Sequence, residues 1–451
     1  MQLKHARVLI LGLGISGESA AALCAAHQAQ VTVHDQHDPD AFTAAVERLS
    51  AHAIDYRLGT PAPDPADYTL VVRSPGIPAG HPVLQQAAEA RIPVWSEIEL
   101  AHQLLPCPVV AVTGTNGKGT TTALIADMFA ASGITAHLAG NMGIPLSSVF
   151  PRITPGDVLV LEVSAAQLEN VHSFAPTIAV ITNVQPEHRN LYSWQAYHGI
   201  KAEILRNHTA ASATVVTYDD PTSRGLATAV PGRVLYTSAR VPLPSTLEGV
   251  YVDAGQVIAR HAGHQRPLIA VADLAARGVL ANITAAAAAA LLWGIGDQAI
   301  ASAARAYQGR EHVLEFVTER SGVAFYNDAK ATNPYSTLHA VTAFNDRPVI
   351  LIAGGKDTKN ADFTALATPA MRRVRHLVLF GDSAEAIRRA LANGGITLPT
   401  TVTTDFTQAT AAARALAVAG DAVLFSPGTH TWDMEPDYLT RGSLFKRLVH
   451  S

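Results

Sequence analysis

The feature that most constrains this chain is an apolar run that ends abruptly in glycines and a lysine. Val109-Val110-Ala111-Val112 reads as a buried strand, and it enters Thr113-Gly114-Thr115-Asn116-Gly117-Lys118-Gly119-Thr120-Thr121 with no intervening loop. A strand, a glycine loop and then a helix place a row of backbone N–H groups at a helix N-terminus, where they can cradle phosphate oxygens. Lys118 then reaches the terminal phosphates, and a following hydroxyl can hold Mg²⁺. The spacing from Gly114 to Gly117-Lys118 is two residues shorter than in the common phosphate loop. A purely structural glycine turn would still leave the lysine unexplained, so the loop is read as a site for ATP or GTP.

This unit has to belong to an α/β fold, because strands alternate with helical patterns along most of the chain. Strands are expected at Val8–Leu11, Val31–His34, Leu70–Val72, Val158–Leu161 and Ile178–Ile181, then again at Val323–Tyr326, Pro348–Ala353, His376–Phe380 and Ala422–Phe425. Helices are expected at Ser16–His27 and Asn282–Leu292, the latter containing six consecutive alanines suited to close packing. Residues 213–260, with Pro, Gly and Ser between short β-like runs, read as an antiparallel excursion, and Pro93 to Leu100 as the exit from the first domain. At 451 residues the chain exceeds one ordinary core. Three α/β domains are expected: 1–95, Rossmann-like; 96–303, carrying the phosphate loop on a mostly parallel sheet; and 304–451, again Rossmann-like.

A net charge of −4 gives no global basic field, so no nucleic-acid partner is expected. The two cysteines, Cys24 and Cys107, read as small buried thiols and suggest no disulfide framework. The apolar run Val8–Leu11 is too short for a signal segment, and Ala285 to Trp293 falls short of the roughly 20 residues of a membrane span. A cytoplasmic monomer without membrane insertion is expected.

Other candidates lie beyond strand ends, where ligands collect in open α/β sheets. Gly12-Leu13-Gly14-Ile15-Ser16-Gly17 opens the first helix, and Asp35 ends the second strand; alone this pattern suggests a dinucleotide or merely a tight turn. Glu162, His188 and Lys201 fall on the phosphate-loop side of the middle sheet. Read singly, each is more often a cap or a structural group than a ligand. Asn327-Asp328-Ala329-Lys330-Ala331-Thr332-Asn333 and Gly354-Gly355-Lys356-Asp357-Thr358-Lys359 concentrate polar groups after two strands of the last domain.

Taken in order, these motifs resemble the Mur ligases, and among them the members that add glutamate. The likeness runs through Gly12 to Gly17, Ser74-Pro75-Gly76-Ile77, Ser96-Glu97-Ile98-Glu99-Leu100, the phosphate loop and Gly140-Asn141-Met142-Gly143. It continues through Gln167-Leu168-Glu169, Thr182-Asn183-Val184, His188, Asp328 to Asn333, Ser426-Pro427 and Asp433-Met434. The resemblance implies an ATP-dependent, ADP-forming ligase joining glutamate, in its D form, to UDP-N-acetylmuramoyl-L-alanine through an acyl phosphate, in peptidoglycan precursor synthesis. It reassigns the first glycine motif from a nicotinamide to the UDP substrate, with Gly14, Ile15, Ser16, Asp35 and Ser74 at uridine-side positions and Asn141 and Gln167 farther along the substrate. ATP is implied on Gly114, Thr115, Asn116, Gly117, Lys118, Gly119 and Thr120, with Asn282, Asp328 and Lys330. Mg²⁺ is implied on Thr120, Glu162, His188 and Lys201, the last as its carbamate. The incoming amino acid is implied on Thr332, Lys359, Thr431 and Tyr438. Lys118, His188 and Lys201 carry the catalytic assignment.

Some residues depart from the pattern. Gly119 follows Lys118 where Ser or Thr is usual, as in folylpolyglutamate synthases, and moves the metal-side hydroxyl to Thr120. Ser164-Ala165-Ala166-Gln167 replaces Ser-Ser-Phe-Gln, and Glu187-His188-Arg189-Asn190 replaces Asp-His-Leu-Asp. Val313 stands where a phosphate-contacting arginine is usual, with Arg310 nearby, and Gly428-Thr429-His430-Thr431-Trp432 replaces a run of small residues. The alternatives are a related ligase taking L-glutamate or another acceptor, a folylpolyglutamate synthase, an altered nucleotide-binding protein without ligase activity, and an NAD-dependent dehydrogenase. The first domain argues against the folate enzyme, and the Lys118 loop against the dehydrogenase.

Overall fold

In the computed structural model, residues 2–276, 278–430 and 437–451 are described. They form three sheets. The first has the order β3-β2-β1-β4-β5, from strands β1 (Arg7–Leu11), β2 (Gln30–Asp35), β3 (Ile54–Leu58), β4 (Leu70–Arg73) and β5 (Val94–Ser96). All its pairings are parallel. The segment read as an exit thus contributes a fifth strand, with Val72 opposite Trp95 and Arg73 opposite Ser96. Only after Ser96 does the chain turn into helix Glu97–His102, capped by the Ser96 hydroxyl.

The second sheet is built from β6 (Val109–Thr113), β7 (Ala136–Gly140), β8 (Val158–Glu162), β9 (Ile178–Ile181), β10 (Ala213–Thr217), β11 (Arg233–Ser238), β12 (Gly249–Asp253), β13 (Gln256–His261) and β14 (His264–Ala270). Their order is β14-β13-β12-β11-β10-β9-β6-β8-β7. The expected antiparallel excursion over 213–260 is corrected here. β10 runs parallel to β9, β11 to β10 and β12 to β11, and the direction first reverses between β12 and β13. The reversal is local: Ala254-Gly255 and Ala262-Gly263, all at positive φ, make the tight turns before and after β13. The polar residues between β10 and β12 are connections within a parallel sheet.

The third sheet has the order β15-β16-β20-β17-β18-β19, with β15 (Glu315–Arg320), β16 (Val323–Asn327), β17 (Val349–Gly354), β18 (Val374–Phe380), β19 (Thr400–Thr403) and β20 (Ala422–Phe425). Its inner strands bury both faces, which is why they read as unbroken apolar runs. Ala324, Tyr326, Leu351, Leu377, Leu379 and Leu424 pack on one side, while Val323, Phe325, Ile350, Val378, Val423 and Phe425 pack on the other.

The chain divides into two compact units. The first comprises Met1–Asn183, His198–Ile269 and Asn282–Ala303, and the second Val184–Tyr197, Ala270–Ala281 and Ala304–Ser451. Within the first unit the two sheets are joined by buried polar groups. Arg73 donates to the Glu169 carboxylate and to Asn170 Oδ1 at 2.9 Å. Glu99, fully buried, accepts from the backbone N–H groups of His172, Ser173 and Phe174. No helix among the described residues is long and apolar enough to cross a membrane.

Candidate active site

The glycine loop follows β6 directly, and its shape is dictated by close approaches. At Gly114, φ is +148° and a Cβ would lie 2.0 Å from Thr182 Oγ1. At Gly117, φ is +82° and a Cβ would lie 2.5 Å from Asn282 Nδ2. Neither position admits a side chain. Helix Lys118–Ala131 starts on Gly117, with no side chain capping its first N–H groups. Those amides, and the positive end of a 14-residue helix, are available to phosphate oxygens.

Three groups outside the loop hold it in this form. Asn183 clasps Asn116 from both sides, accepting its N–H at 2.9 Å on Oδ1 and donating from Nδ2 to its carbonyl at 3.0 Å. The Thr182 hydroxyl donates to that same carbonyl at 2.6 Å. Asn282 donates to the Gly117 carbonyl at 3.0 Å and to the Thr121 hydroxyl at 3.1 Å. Thr182 and Asn183 were legible as polar residues after a strand and as part of the family resemblance, with no role assigned to either. Their function in the fold follows from β9 lying beside β6, with Thr113 opposite Ile181.

The Lys118 ammonium rests on its own loop, donating to the carbonyls of Gly114 at 3.0 Å and Thr115 at 2.9 Å. Lys201 comes from helix Trp194–Ala202 and is only 1% exposed. Its Nζ donates to the Thr113 hydroxyl at 3.1 Å and to the Gly114 carbonyl at 3.0 Å. Two candidate lysines therefore meet on one loop. Glu162 ends β8, whose register sets it opposite Val112 of β6. It is buried, and Asn141 Nδ2 donates to its Oε1 at 3.2 Å. Among the described residues no group of three or more His, Cys, Asp or Glu side chains could hold a metal ion. A magnesium site here needs other oxygens beside Glu162. The buried Thr120 hydroxyl fits, whereas the Lys201 amine becomes a ligand only once it carries a carbamate.

Around the first sheet, Gly14, Ile15 and Ser16 open helix Ile15–Ala26, and Ile15 is 67% exposed. Asp35 shapes the turn before it. Its Oδ2 accepts the Leu13 N–H at 2.9 Å, and its Oδ1 accepts from the backbone N–H and ring Nδ1 of His37. Burial opposes ionisation of Asp35, but these hydrogen bonds outweigh it and hold the carboxyl below its ordinary range. The Ser74 hydroxyl closes the turn on the Gly12 carbonyl at 2.9 Å. Gln167 is engaged in a capping box, accepting from the Ser164 N–H and hydroxyl.

The second unit carries His188, Asp328, Lys330, Thr332, Lys359 and Tyr438. Lys330 Nζ lies 5.4 Å from the Tyr438 ring centroid, a cation–π contact, and the Thr332 N–H donates to the Lys330 carbonyl. Asp328 is buried, accepting from the Leu314 N–H at 3.0 Å and the Ser426 hydroxyl at 2.8 Å. Burial pushes its carboxyl up to about 7. His188 takes a left-handed backbone, φ +54°, with its ring 6.4 Å from that of Tyr197. Lys359 donates to Glu187 Oε1 at 3.1 Å, and Asn333 Nδ2 donates to the same oxygen at 3.3 Å. Glu187 and Asn333 are the groups that sequence reasoning did not assign. Arg310, near the position of the missing arginine, keeps its Nη1 buried without a hydrogen-bond partner. Thr431 and Asp433-Met434 lie outside the described residues.

Comparison with known proteins bears on this geometry. The chain matches the Mur ligase MurD-like N-terminal domain over residues 6–96, the Mur ligase middle domain over 112–290 and the Mur ligase glutamate ligase domain over 314–428. It is 38% identical to UDP-N-acetylmuramoylalanine–D-glutamate ligase of Geotalea uraniireducens, over 100% of this chain and 98% of that one. With the enzyme of the same name from Pelotomaculum thermopropionicum it shares 36% identity, over 99% and 97%. The fold is also that of a pseudomurein peptide ligase type C from Methanothermus fervidus, at a TM-score of 0.61 and 16% identity over 99% of both chains. A glycine loop braced by Thr182, Asn183 and Asn282, inside a chain that follows these relatives from end to end, makes this protein a member of the Mur ligase family.

Proposed function

We propose that the protein is a cytoplasmic, ATP-dependent, ADP-forming ligase that joins D-glutamate to UDP-N-acetylmuramoyl-L-alanine in peptidoglycan precursor synthesis. The observation that carries this reading is the loop Gly114–Thr120, fixed from outside with its helix amides uncapped and two lysines upon it. The relatives named for this activity supply the substrates.

In this reading the loop amides hold the phosphates of ATP, and Lys118 turns from the Gly114 and Thr115 carbonyls to the terminal phosphoryl group. Asn282, which donates to the loop, is assigned to the nucleotide in the first unit, and Asp328 and Lys330 carry the ATP assignment in the second. Gly14, Ile15, Ser16, Asp35 and Ser74 receive the UDP portion of the other substrate, with Asn141 and Gln167 farther along it. The alanyl carboxylate attacks the terminal phosphorus, the bond to the bridging oxygen breaks, and ADP leaves. The amine of glutamate, held by Thr332, Lys359, Thr431 and Tyr438, attacks the resulting acyl phosphate and releases phosphate as the amide forms. Negative charge spreads over the transferring group in the first step, and preorganised N–H donors with Lys118 stabilise it without reorganisation. In the first unit Thr120, Glu162 and the carbamate of Lys201 would hold Mg²⁺, which when bound neutralises phosphate charge; in the second unit His188 carries the metal assignment.

The test is phosphate release and product mass from purified protein with ATP, Mg²⁺ and UDP-N-acetylmuramoyl-L-alanine, given D- or L-glutamate separately. Turnover with D-glutamate is expected, and Lys118→Ala should lower it by about 100-fold or more. Turnover with the L form alone corrects the enantiomer. No turnover with either ends the reading.

A further inference from the structure

Within the second unit, a cleft of about 280 Å³ is lined by Pro186, Glu187, Arg189, Tyr192, Trp194 and Asn360, among others. That is below the roughly 300 Å³ at which pockets for drug-sized ligands begin, and it suits an amino acid better than a nucleotide.

Two charged side chains line it, Glu187 and Arg189, and each has an ion-pair partner outside the lining, Lys359 and Asp362. Glu187 and Lys359 form the inner pair, 3.1 Å apart with side chains 9% and 13% exposed, and Asn333 donates to the same carboxylate oxygen. The Asn190 N–H donates to the Lys359 carbonyl at 3.3 Å, which ties the strand of chain bearing Arg189 to the one bearing Lys359. Arg189 forms the outer pair, its Nη1 3.6 Å from Asp362 Oδ2 with side chains 45% and 32% exposed. That separation is too long for a hydrogen bond, and so exposed an ion pair contributes little. Arg189 can therefore exchange Asp362 for another carboxylate at small expense, and its planar guanidinium binds a carboxylate through two parallel N–H donors.

The cluster holds two carboxylates and two cations; with Arg189 released from Asp362, Glu187, Lys359 and Arg189 are the negative image of an amino acid with one ammonium and two carboxylates. We propose that Arg189 is the specificity residue for the side-chain carboxylate of the incoming amino acid, while Lys359 holds the main-chain carboxylate. Arg189 leaves Asp362 when the substrate enters, and the Tyr192 and Trp194 rings limit water around the new pair. The proposal rests on Lys359 being an amino-acid contact, as in the function proposed above.

The experiment compares wild type, Arg189→Leu and Arg189→Lys in steady-state kinetics with glutamate and with glutamine, at saturating ATP and UDP-N-acetylmuramoyl-L-alanine. Arg189→Leu should raise KM for glutamate about tenfold or more while kcat and the KM for ATP stay within about twofold. It should also lower the glutamate-to-glutamine ratio of kcat/KM by about tenfold or more, and Arg189→Lys should keep most of that ratio. A wild-type ratio in Arg189→Leu, or an equal loss of kcat with both amino acids, overturns the proposal for Arg189 alone. A wild type that turns over no glutamate overturns it together with the function it rests on.

Discussion

Lys201 combines two properties that seldom occur together: it is fully buried, and its amine touches the loop proposed to hold ATP. As an ammonium it can only donate, as it does to the Thr113 and Gly114 oxygens. Carbamylation would turn it into an anionic oxygen donor of the kind magnesium prefers. Lys201→Ala should therefore lower phosphate release by about 100-fold, with partial recovery in acetate or propionate. Full activity of the variant without them would rule the carbamate out. Asp328 offers a second check. Its folded-state carboxyl is raised from 3.8 to about 7, so the native state keeps a proton that the unfolded chain has released. Stability then falls as pH rises from about 4 to 7, by an amount on the order of a few kcal/mol. Asp328→Asn should flatten this decline in thermal melts between pH 5 and 8, and an undiminished slope would mean that another group titrates. At this scale the sequence was legible where chemistry dictates residue type. Gly117 could be read because its backbone angle and its neighbour Asn282 leave no room for a side chain. Glu187 could not, because its partner Lys359 is 172 residues away.

Among the elements, strands buried on both faces were readable and the others were not. β16 and β17 are unbroken apolar runs, whereas β3 alternates Ile54, Asp55, Tyr56, Arg57 and Leu58 and β19 is Thr-Thr-Val-Thr. The direction of β10 to β12 was misjudged for a related reason, since short strands with polar connections look alike whether they return or cross over. Close approach between strands has its own signature in glycine. Gly140 ends β7 at φ +105°, where a Cβ would lie 2.0 Å from the Glu162 carbonyl oxygen. Gly140→Ala should destabilise the protein by about 2–4 kcal/mol in urea titrations, since both the backbone angle and the neighbouring strand resist it. Gly156 has nothing within 4 Å of its notional Cβ and no positive φ, so Gly156→Ala is the matched control, expected to shift the midpoint little. Equal effects would show that β7 and β8 can part without penalty.

For the whole molecule, the notable fact is that the second unit gathers Val184–Tyr197 and Ala270–Ala281 with the C-terminal residues. No change of composition marks these stretches, so three domains in a row could be read from the sequence while their exchange of segments could not. The borrowed pieces make specific contacts: Glu187 with Lys359 and Asn333, the Gly278 carbonyl with His339, and Asp273 with Arg305. A fragment of residues 304–451 lacks all of them. It should melt at least ~5 °C below the same unit in the intact chain, with faster amide exchange around Lys359. Equal exchange in fragment and full chain would show that the borrowed segments add nothing to its folding.

The path of the backbone has a consequence for how such a protein can change over generations. It passes from one unit to the other after Asn183, Tyr197, Ile269, Ala281 and Ala303. A single recombination event that traded one unit for a foreign counterpart would sever the native segments from their hosts. Exchange of a whole unit by shuffling of modules is thereby impeded. Fresh specificities must arise instead by substitution inside the existing clefts.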